Sequence, residues 1–174
     1  MSAEAIFCRP LRETDFPGVM TVQAERYDGR MLEPEATLVA RWIASPDTAW
    51  VALDESGICA YLFGYRSILG RITPLRGLFE PAPQANTFYL HDLAVSRRAH
   101  GIGIGTRLVR LGWELARREG VPHSSLVSLE SARTFWHRLG YRIHALTDPE
   151  QHDRLRGYEE NDAQAFHMAL DLDA

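Results

Sequence analysis

Apolar residues recur at helical spacing along some segments of the chain and alternate with polar residues along others. The first half predicts a strand at residues 5–9 and then two helices. The second helix carries its apolar residues at helical spacing, at Leu38, Val39, Trp42 and Ile43. Residues 48–54 and 57–67 are rich in β-branched and aromatic residues. The short turn between them predicts an antiparallel hairpin.

The second half continues with a strand, a helix, a strand, a helix and two closing strands. Residues 68–86 are rich in proline and glycine without a clear period, which predicts a long irregular loop. A helix over residues 104–120 is expected to end at Gly120, and a compact helix to end at Gly140. The polar segment before the last strand carries no periodic signal and is predicted to be a loop.

Length and charge limit the classes of function. The chain has 174 residues, of which 45% are hydrophobic and 24% charged, as expected of one globular domain. The formal net charge of −4 gives no electrostatic reason to expect nucleic acid or an anionic membrane as partner. Small molecules become the expected ligands.

Cysteine usage and the chain start add two expectations. Cys8 and Cys59 are far apart and match no metal spacing, which favours two buried thiols without a redox role. The histidines show no metal spacing either, so no metal is expected. The start of the chain lacks the pattern of a signal peptide, and no apolar segment approaches 18 residues. A cytoplasmic protein is predicted.

Three glycines, Gly101, Gly103 and Gly105, follow a predicted strand and open a helix. The first turn of a helix has unpaired N–H groups and a positive dipole end, so a glycine turn there favours phosphate binding. The dinucleotide pattern G-x-G-x-x-G fails because Thr106 and Leu108 stand where it needs glycine, and "GTR" breaks the P-loop pattern. A tight turn that uses glycine only for its backbone angles stays open as an alternative.

The segment "LAVSRRAHGIGIGTRLV" resembles the coenzyme A motif of the GNAT superfamily of acyl-CoA N-acyltransferases. That motif has Arg or Gln, two residues, Gly, one residue and Gly or Ala, at a fixed offset after a strand valine. Here Val95 is the strand valine, and His100, Gly103 and Gly105 take the motif positions.

A second block, "SARTFWHRLGYR", is similar to a later helix of the same superfamily. The family typically has Ala, Tyr, Gly and an aromatic residue there, and this chain has Ala132, Trp136, Gly140 and Tyr141. The opening "RPLRETDF" and the order of elements also resemble the family.

The resemblance implies the fold class and the donor. The expected fold is α/β (α+β), with a mixed, mostly antiparallel central sheet of about six to seven strands, about four helices, and strands splayed at the coenzyme A site. Residues 1–174 would form a single acetyltransferase domain with acetyl-CoA as cosubstrate and no metal. The backbone of Leu93 and Val95 would pair with the pantetheine arm. The other implied donor-site residues are Ala94, His100, Gly101, Ile102, Gly103, Ile104, Gly105, Thr106 and Trp136.

The chain departs from the family pattern at three positions. His100 replaces the usual Arg or Gln, and Arg97 and Arg98 are candidates to compensate for it. Trp136 stands where the family often has a Tyr that protonates the leaving thiolate, and Leu129 where it often has an Asn. Because an indole N–H is not a useful acid near neutral pH, Trp136 is predicted to pack against the thioester end or the core.

Two neighbouring residues are candidates for the base that removes the amine's proton, His91 and Asp92. In a regular strand their side chains face opposite sides, unless a bulge intervenes. For each, a buried structural role is the alternative.

The predicted function is transfer of an acetyl group from acetyl-CoA to a primary amine of a small molecule or peptide, by direct attack in a ternary complex. A non-catalytic acyl-CoA-binding module is the alternative. No nucleic acid or membrane partner is expected, and a homodimer is common in the family. The residues expected on the acceptor side are Tyr27, Arg30, Met31, Trp42, Arg71 and Phe79. Asp28, Glu33 and Glu35 keep a polyamine acceptor open.

Overall fold

The computed structural model of the chain describes residues 6–159 and 163–173, without the side chain of Arg30. Seven strands form one sheet: β1 (Phe7–Pro10), β2 (Ala49–Asp54), β3 (Gly57–Ser67), β4 (Thr87–Val95), β5 (His123–Leu129), β6 (Arg142–Ile143) and β7 (Ala165–Asp171). Their order in the sheet is β1-β2-β3-β4-β5-β7-β6. The pairs β1 with β2, β2 with β3, β5 with β7 and β6 with β7 are antiparallel, whereas β4 with β5 is parallel. The predicted hairpin is β2 and β3.

Five α-helices accompany the sheet in the described residues: α1 (Phe16–Arg26), α2 (Glu35–Ala44), α3 (Ile104–Arg118), α4 (Glu130–Arg138) and α5 (Pro149–Arg156). Four of them are the helices that the hydrophobic pattern predicts. Residues 68–86 lack helix and strand, as expected. None of the helices in the described ranges combines the length and the apolar character needed to cross a membrane.

The fifth helix, α5, corrects the prediction of a loop before the last strand. Asp148 caps it by accepting a hydrogen bond from the Glu150 N–H at 2.9 Å, and Pro149 stands in its first turn. Two polar side chains of α5 hold the peptide groups of Ile72: Gln151 accepts from its N–H at 2.8 Å, and Arg154 donates to its carbonyl at 2.9 Å. The helix therefore rests on polar tertiary contacts that hydrophobic periodicity does not show.

Two compact units divide the chain. The first comprises residues 1–64 and 92–112, and the second comprises residues 65–91 and 113–174. That residues 1–174 act as a single domain stays a prediction.

In the first unit, α1 and α2 supply the aromatic core. Phe16 of α1 lies 6.4 Å from the ring of Phe63 and 5.9 Å, edge-on, from that of Trp42. Val19 and Leu38 are fully buried. Trp42, expected on the acceptor side, thus contributes to packing.

In the second unit, one core cluster joins the long loop to the end of the chain. Ile72, Tyr158 and Ala165 are buried together. The Tyr158 hydroxyl donates to the Thr73 carbonyl at 2.6 Å. The loop over residues 68–86 is therefore fixed by packing and hydrogen bonds although it has no regular structure.

Candidate active site

The turn of residues 100–106, here called the glycine turn, joins β4 to α3 within the first unit. Gly101 and Gly103 have φ angles of +82° and +80°, which L-residues rarely adopt. A Cβ atom at either position would meet nothing within 4 Å, so the backbone angle and not crowding requires glycine there. Gly105 instead lies in the first turn of α3 and is buried.

Helix α3 begins at Ile104, immediately after Gly103. The first N–H groups of a helix have no partner within the helix and carry the positive end of its dipole. The open space at both left-handed glycines leaves this backbone accessible. The glycine turn has the chemistry of an anion site, and the residues present fit a pyrophosphate group.

The two arginines before the glycine turn differ in their contacts. Arg98 pairs with Asp54 at 2.7 Å and donates to the Ile58 carbonyl at 2.8 Å, so it holds the β2–β3 hairpin. Arg97 is exposed, and its backbone N–H donates to Glu25 at 3.2 Å. Both arginines are exposed, and the contacts of the Arg98 side chain tie it to the β2–β3 hairpin.

Asp92, on β4, lies between two tyrosine hydroxyls of the first unit. Tyr27, which follows α1, donates to Asp92 Oδ1 at 2.9 Å, and Tyr61 of β3 donates to Oδ2 at 2.9 Å. Tyr27 Oη also lies 3.2 Å from the Leu93 carbonyl oxygen. Each carboxylate oxygen therefore has its own phenol donor, which fixes the orientation of the carboxyl plane.

Burial raises the pKa of Asp92 from its ordinary value to about 6, partly offset by the two tyrosine hydrogen bonds. The negative charge of Glu33 raises this pKa further, and the positive charge of Arg41 lowers it. The result is a carboxyl group that titrates close to neutral pH, as a general base requires.

Glu33 and Arg41 form a buried ion pair near this carboxyl group. Arg41 donates to both carboxylate oxygens of Glu33, at 2.5 and 2.6 Å. Glu33 is 6% exposed and Arg41 is 1% exposed. The Gln23 side chain accepts from the Glu33 N–H at 2.9 Å and donates to its carbonyl at 3.0 Å. Glu33 is therefore paired within the protein, and of the three acidic residues that the sequence offers for a polyamine acceptor, Asp28 and Glu35 are the exposed ones.

The pairing of β4 with β5 covers only part of either strand. In the second unit the register runs from Thr87 with His123 to Leu90 with Leu126. Strand β4 continues to Val95, and β5 continues to Leu129 in its pairing with β7. Leu93 and Val95, which the sequence predicts to meet the pantetheine arm, follow these pairs along β4 and belong to the first unit.

The family follows from the sequence. Residues 10–141 match the Acetyltransferase (GNAT) family. The chain belongs to that family. No curated protein matches it at the required significance.

Solved structures that resemble this GNAT protein confirm the fold class. GphF, a GNAT-like decarboxylase in complex with isobutyryl-CoA, has a TM-score of 0.78 and 19% identity, covering 95% of this chain and 99% of that chain. Ard1 from Thermoplasma volcanium has a TM-score of 0.73 and 15% identity, with 96% and 97% covered. The ribosomal-protein-S18-alanine N-acetyltransferase from Escherichia coli has a TM-score of 0.67 and 14% identity, with 96% and 94% covered. At these identities the likeness shows the fold and leaves the acceptor open.

The second candidate base, His91, belongs to the second unit. Its ring lies 5.5 Å from Phe79, edge-on, and 6.2 Å from Tyr89. Phe79 stacks on Tyr65 at 4.4 Å and is buried, so it serves packing in addition to any role toward an acceptor. His91 is thus held in an aromatic cluster, whereas Asp92 is held by hydrogen bonds.

Trp136 of α4 is 8% exposed and packs edge-on against Tyr141, with 5.5 Å between ring centroids. Tyr141 in turn accepts a hydrogen bond from Trp113 Nε1 at 2.9 Å and is paired with Ser124 Oγ at 2.7 Å. Burial raises the pKa of Tyr141 well above its usual value. In this unit Trp136 therefore covers a buried, fully paired tyrosine.

The two cysteines differ in their burial. Cys59 is buried and Cys8 half-buried, and burial raises the pKa of the Cys59 thiol to about 11. Over the described ranges, no three His, Cys, Asp or Glu side chains gather where they could hold a metal ion.

Tyr61 is the site residue that the sequence did not single out. It lies within an apolar run of β3 and reads as an ordinary core aromatic. Only its pairing with Asp92, which is 31 positions away in the chain, distinguishes it.

Proposed function

We propose that this protein transfers an acetyl group from acetyl-CoA to a primary amine by direct attack in a ternary complex, with Asp92 as the general base. The observation that carries the proposal is the Asp92 carboxyl group, held by two tyrosine hydroxyls with its pKa raised to about 6. It lies on the strand that leads into the glycine turn.

The donor would occupy the strand and turn that follow Asp92. The N–H groups at the start of α3 and the glycine turn would bind the pyrophosphate, with His100 at its entrance. The backbone of Leu93 and Val95 would pair with the amides of the pantetheine arm.

The chemistry needs one base and one leaving group. Asp92, as a carboxylate, accepts a proton from the acceptor ammonium, and the free amine attacks the thioester carbon. The C–N bond forms, the C–S bond breaks, and the sulfur leaves with the electron pair. The second nitrogen proton passes to the thiolate, which gives the amide and coenzyme A. An alkyl thiol with a pKa of about 8.5 is a good leaving group near neutral pH, so a strong acid is not needed.

The acyl-CoA-binding module is kept as the second candidate because of Trp136. Its indole is buried against Tyr141, and the strand before α4 ends in the apolar Leu129. Both positions often carry polar residues in the family. A chain of this kind would bind coenzyme A and release no thiol.

The deciding experiment measures coenzyme A binding by calorimetry and thiol release from acetyl-CoA across a panel of amines. The panel contains polyamines, amino acids, peptides with free N-termini and aminoglycosides. Binding with thiol release supports the acetyltransferase. Binding without release from any amine supports the module, and absence of binding contradicts both. A further assay supplies a carboxyacyl-CoA and measures the release of carbon dioxide, because the GphF structure is named a GNAT-like decarboxylase.

Asp92→Asn tests the base on the best amine. The variant keeps the size of the side chain but cannot take a proton, so the rate is expected to fall by about 10²- to 10⁴-fold while coenzyme A affinity stays within a few-fold. Asp153→Asn, which removes the charge of an exposed residue of α5, is the matched control and leaves the rate unchanged. An unaltered rate in Asp92→Asn removes Asp92 as base.

A further inference from the structure

Tyr27 has one hydroxyl proton and two acceptors within reach. Its oxygen lies 2.9 Å from Asp92 Oδ1 and 3.2 Å from the Leu93 carbonyl oxygen. A phenol donates one hydrogen bond and accepts others, so the proton points to one acceptor at a time. Tyr61 is the natural comparison, because its hydroxyl donates to Asp92 Oδ2 at the same distance.

The charge state of Asp92 decides which acceptor Tyr27 uses. An ionised carboxylate only accepts hydrogen bonds, and it is a stronger acceptor than a peptide carbonyl, so Tyr27 donates to Asp92. A protonated Asp92 has a proton to donate through Oδ1, and Tyr27 then accepts it and donates to Leu93. Loss of one proton from Asp92 therefore removes one hydrogen bond from the Leu93 carbonyl.

We propose that Tyr27 is a positioning residue that couples the ionisation of Asp92 to donor binding, because its hydroxyl releases the Leu93 carbonyl only when Asp92 is ionised. The inference rests on the proposed function, in which the backbone of Leu93 pairs with the pantetheine arm. Loss of one proton from Asp92 then has two effects. It leaves a carboxylate that can act as the base, and it removes the Tyr27 hydrogen bond from the Leu93 carbonyl, which can then pair with the pantetheine arm. Acetyl-CoA binds best to the form of the protein that is able to deprotonate the amine.

The groups around this carboxyl come from four segments. Tyr27 follows α1, Tyr61 lies on β3, Glu33 precedes α2, and Arg41 lies within α2. The positive charge of Arg26, at the end of α1, lowers the pKa of Tyr27 and so opposes part of the effect of burial.

Burial raises the pKa of Tyr27 well above its usual value, so Tyr27 stays protonated and serves as a donor at every pH considered. Burial, with a smaller contribution from the charge of Glu33, raises the pKa of Asp92 to about 6, so the exchange is expected near pH 6.

The coupling has two measurable consequences. Below pH 6 coenzyme A affinity falls by about two- to tenfold, the equivalent of one hydrogen bond. Near pH 6 binding releases part of a proton from Asp92, since the bound form favours the carboxylate. The phosphates of coenzyme A also take up and release protons, but they contribute equally to the wild type and to variants at Tyr27 or Tyr61.

The experiment compares the wild type with Tyr27→Phe and the matched control Tyr61→Phe. Each variant removes one phenol donor to Asp92, so in both the pKa of Asp92 rises. Calorimetric titration of coenzyme A in buffers of different ionisation enthalpy gives the protons released between pH 5 and pH 8. We expect Tyr27→Phe to lose the release that Asp92 contributes, and Tyr61→Phe to keep it with its maximum at higher pH.

A measurement without coenzyme A separates this inference from the proposed function. The ¹³C chemical shift of the Leu93 carbonyl reports its hydrogen bonds in the free protein. We expect it to titrate with a midpoint near pH 6 in the wild type and at higher pH in Tyr61→Phe, and to stay constant in Tyr27→Phe and in Asp92→Asn. A shift that titrates equally in Tyr27→Phe overturns the coupling, whether or not coenzyme A binds. Titration as expected, with no binding, keeps the exchange but refutes its role in donor binding and the proposed function with it.

Discussion

At the scale of single residues, the molecule distinguishes two adjacent candidates by their surroundings. Asp92 is held by two phenol hydroxyls beside a neutralised ion pair, and burial moves its pKa toward neutral pH. His91 is held by aromatic rings. The hydrogen bonds to both carboxylate oxygens fix the orientation of Asp92, and its pKa lies near neutral pH, which favours Asp92 as the base.

Trp136 also gives a prediction at the scale of single residues. If its indole only packs on Tyr141, Trp136→Phe keeps the rate within about twofold and lowers the free energy of unfolding by about 1 to 2 kcal/mol, because part of a buried ring is removed. Steady-state kinetics and urea denaturation measure the two effects. A large loss of rate with intact coenzyme A binding would instead give the indole a polar role in the reaction.

At the scale of elements, the start of α3 is tested by charge. Thr106 lies in the first turn of this helix and is half-buried. Thr106→Glu places a negative charge where the helix dipole favours it, so the fold is retained, while a bound pyrophosphate is repelled. We expect coenzyme A affinity to fall by at least about tenfold, measured by calorimetry, with an unchanged melting temperature.

Thr106→Gln is the control for this variant, since it adds similar bulk without charge. Its affinity is expected to stay near that of the wild type. Equal losses in both variants would mean that size, and not charge, disturbs the turn, and equal affinity in all three proteins would refute the pyrophosphate assignment.

Helix α5 provides a second prediction for an element. Removing its cap with Asp148→Ala leaves the Glu150 N–H without that acceptor and is expected to lower the free energy of unfolding by about 1 kcal/mol. Asp148→Asn, an equally good cap, should have little effect. Chemical denaturation measures both variants, and an unchanged stability in Asp148→Ala would show that the polar contacts of α5 with Ile72 suffice to hold the helix.

At the scale of the whole molecule, the raised pKa of Asp92 has a consequence for stability. The folded pKa of about 6 lies above the ordinary value of 3.8 for an aspartate, so the folded state binds a proton more tightly than the unfolded state. The stability that this proton contributes is complete below about pH 4 and is lost as the pH rises through 6.

Asp92→Asn removes this dependence. Between pH 4 and pH 7.5, the free energy of unfolding of the wild type is expected to fall by about 2 to 3 kcal/mol relative to the variant, at about 1.4 kcal/mol per pKa unit. Other carboxyl groups contribute equally to both proteins. Urea denaturation at several pH values gives the difference, and a constant difference would contradict the raised pKa.

The sequence alone determined the family, most elements and the location of the glycine turn. Those features depend on neighbours along the chain: periodicity sets helices and strands, and a left-handed φ demands glycine at 101 and 103. Helix α5 was predicted as a loop although Asp148, Pro149 and Gly157 mark its ends, because its few apolar residues gave no period.

Only the tertiary structure decided which of these residues act together. Tyr27, Tyr61 and Asp92 come from distant positions, and nothing local to any of them signals the hydrogen bonds they share. Likewise, Glu33, which precedes α2, is buried as the ion-pair partner of Arg41 within that helix, and the sequence around Glu33 does not show this pairing. A pKa, and the choice of a base, follow from the solvent and charges around a group, and these are fixed when separate segments pack.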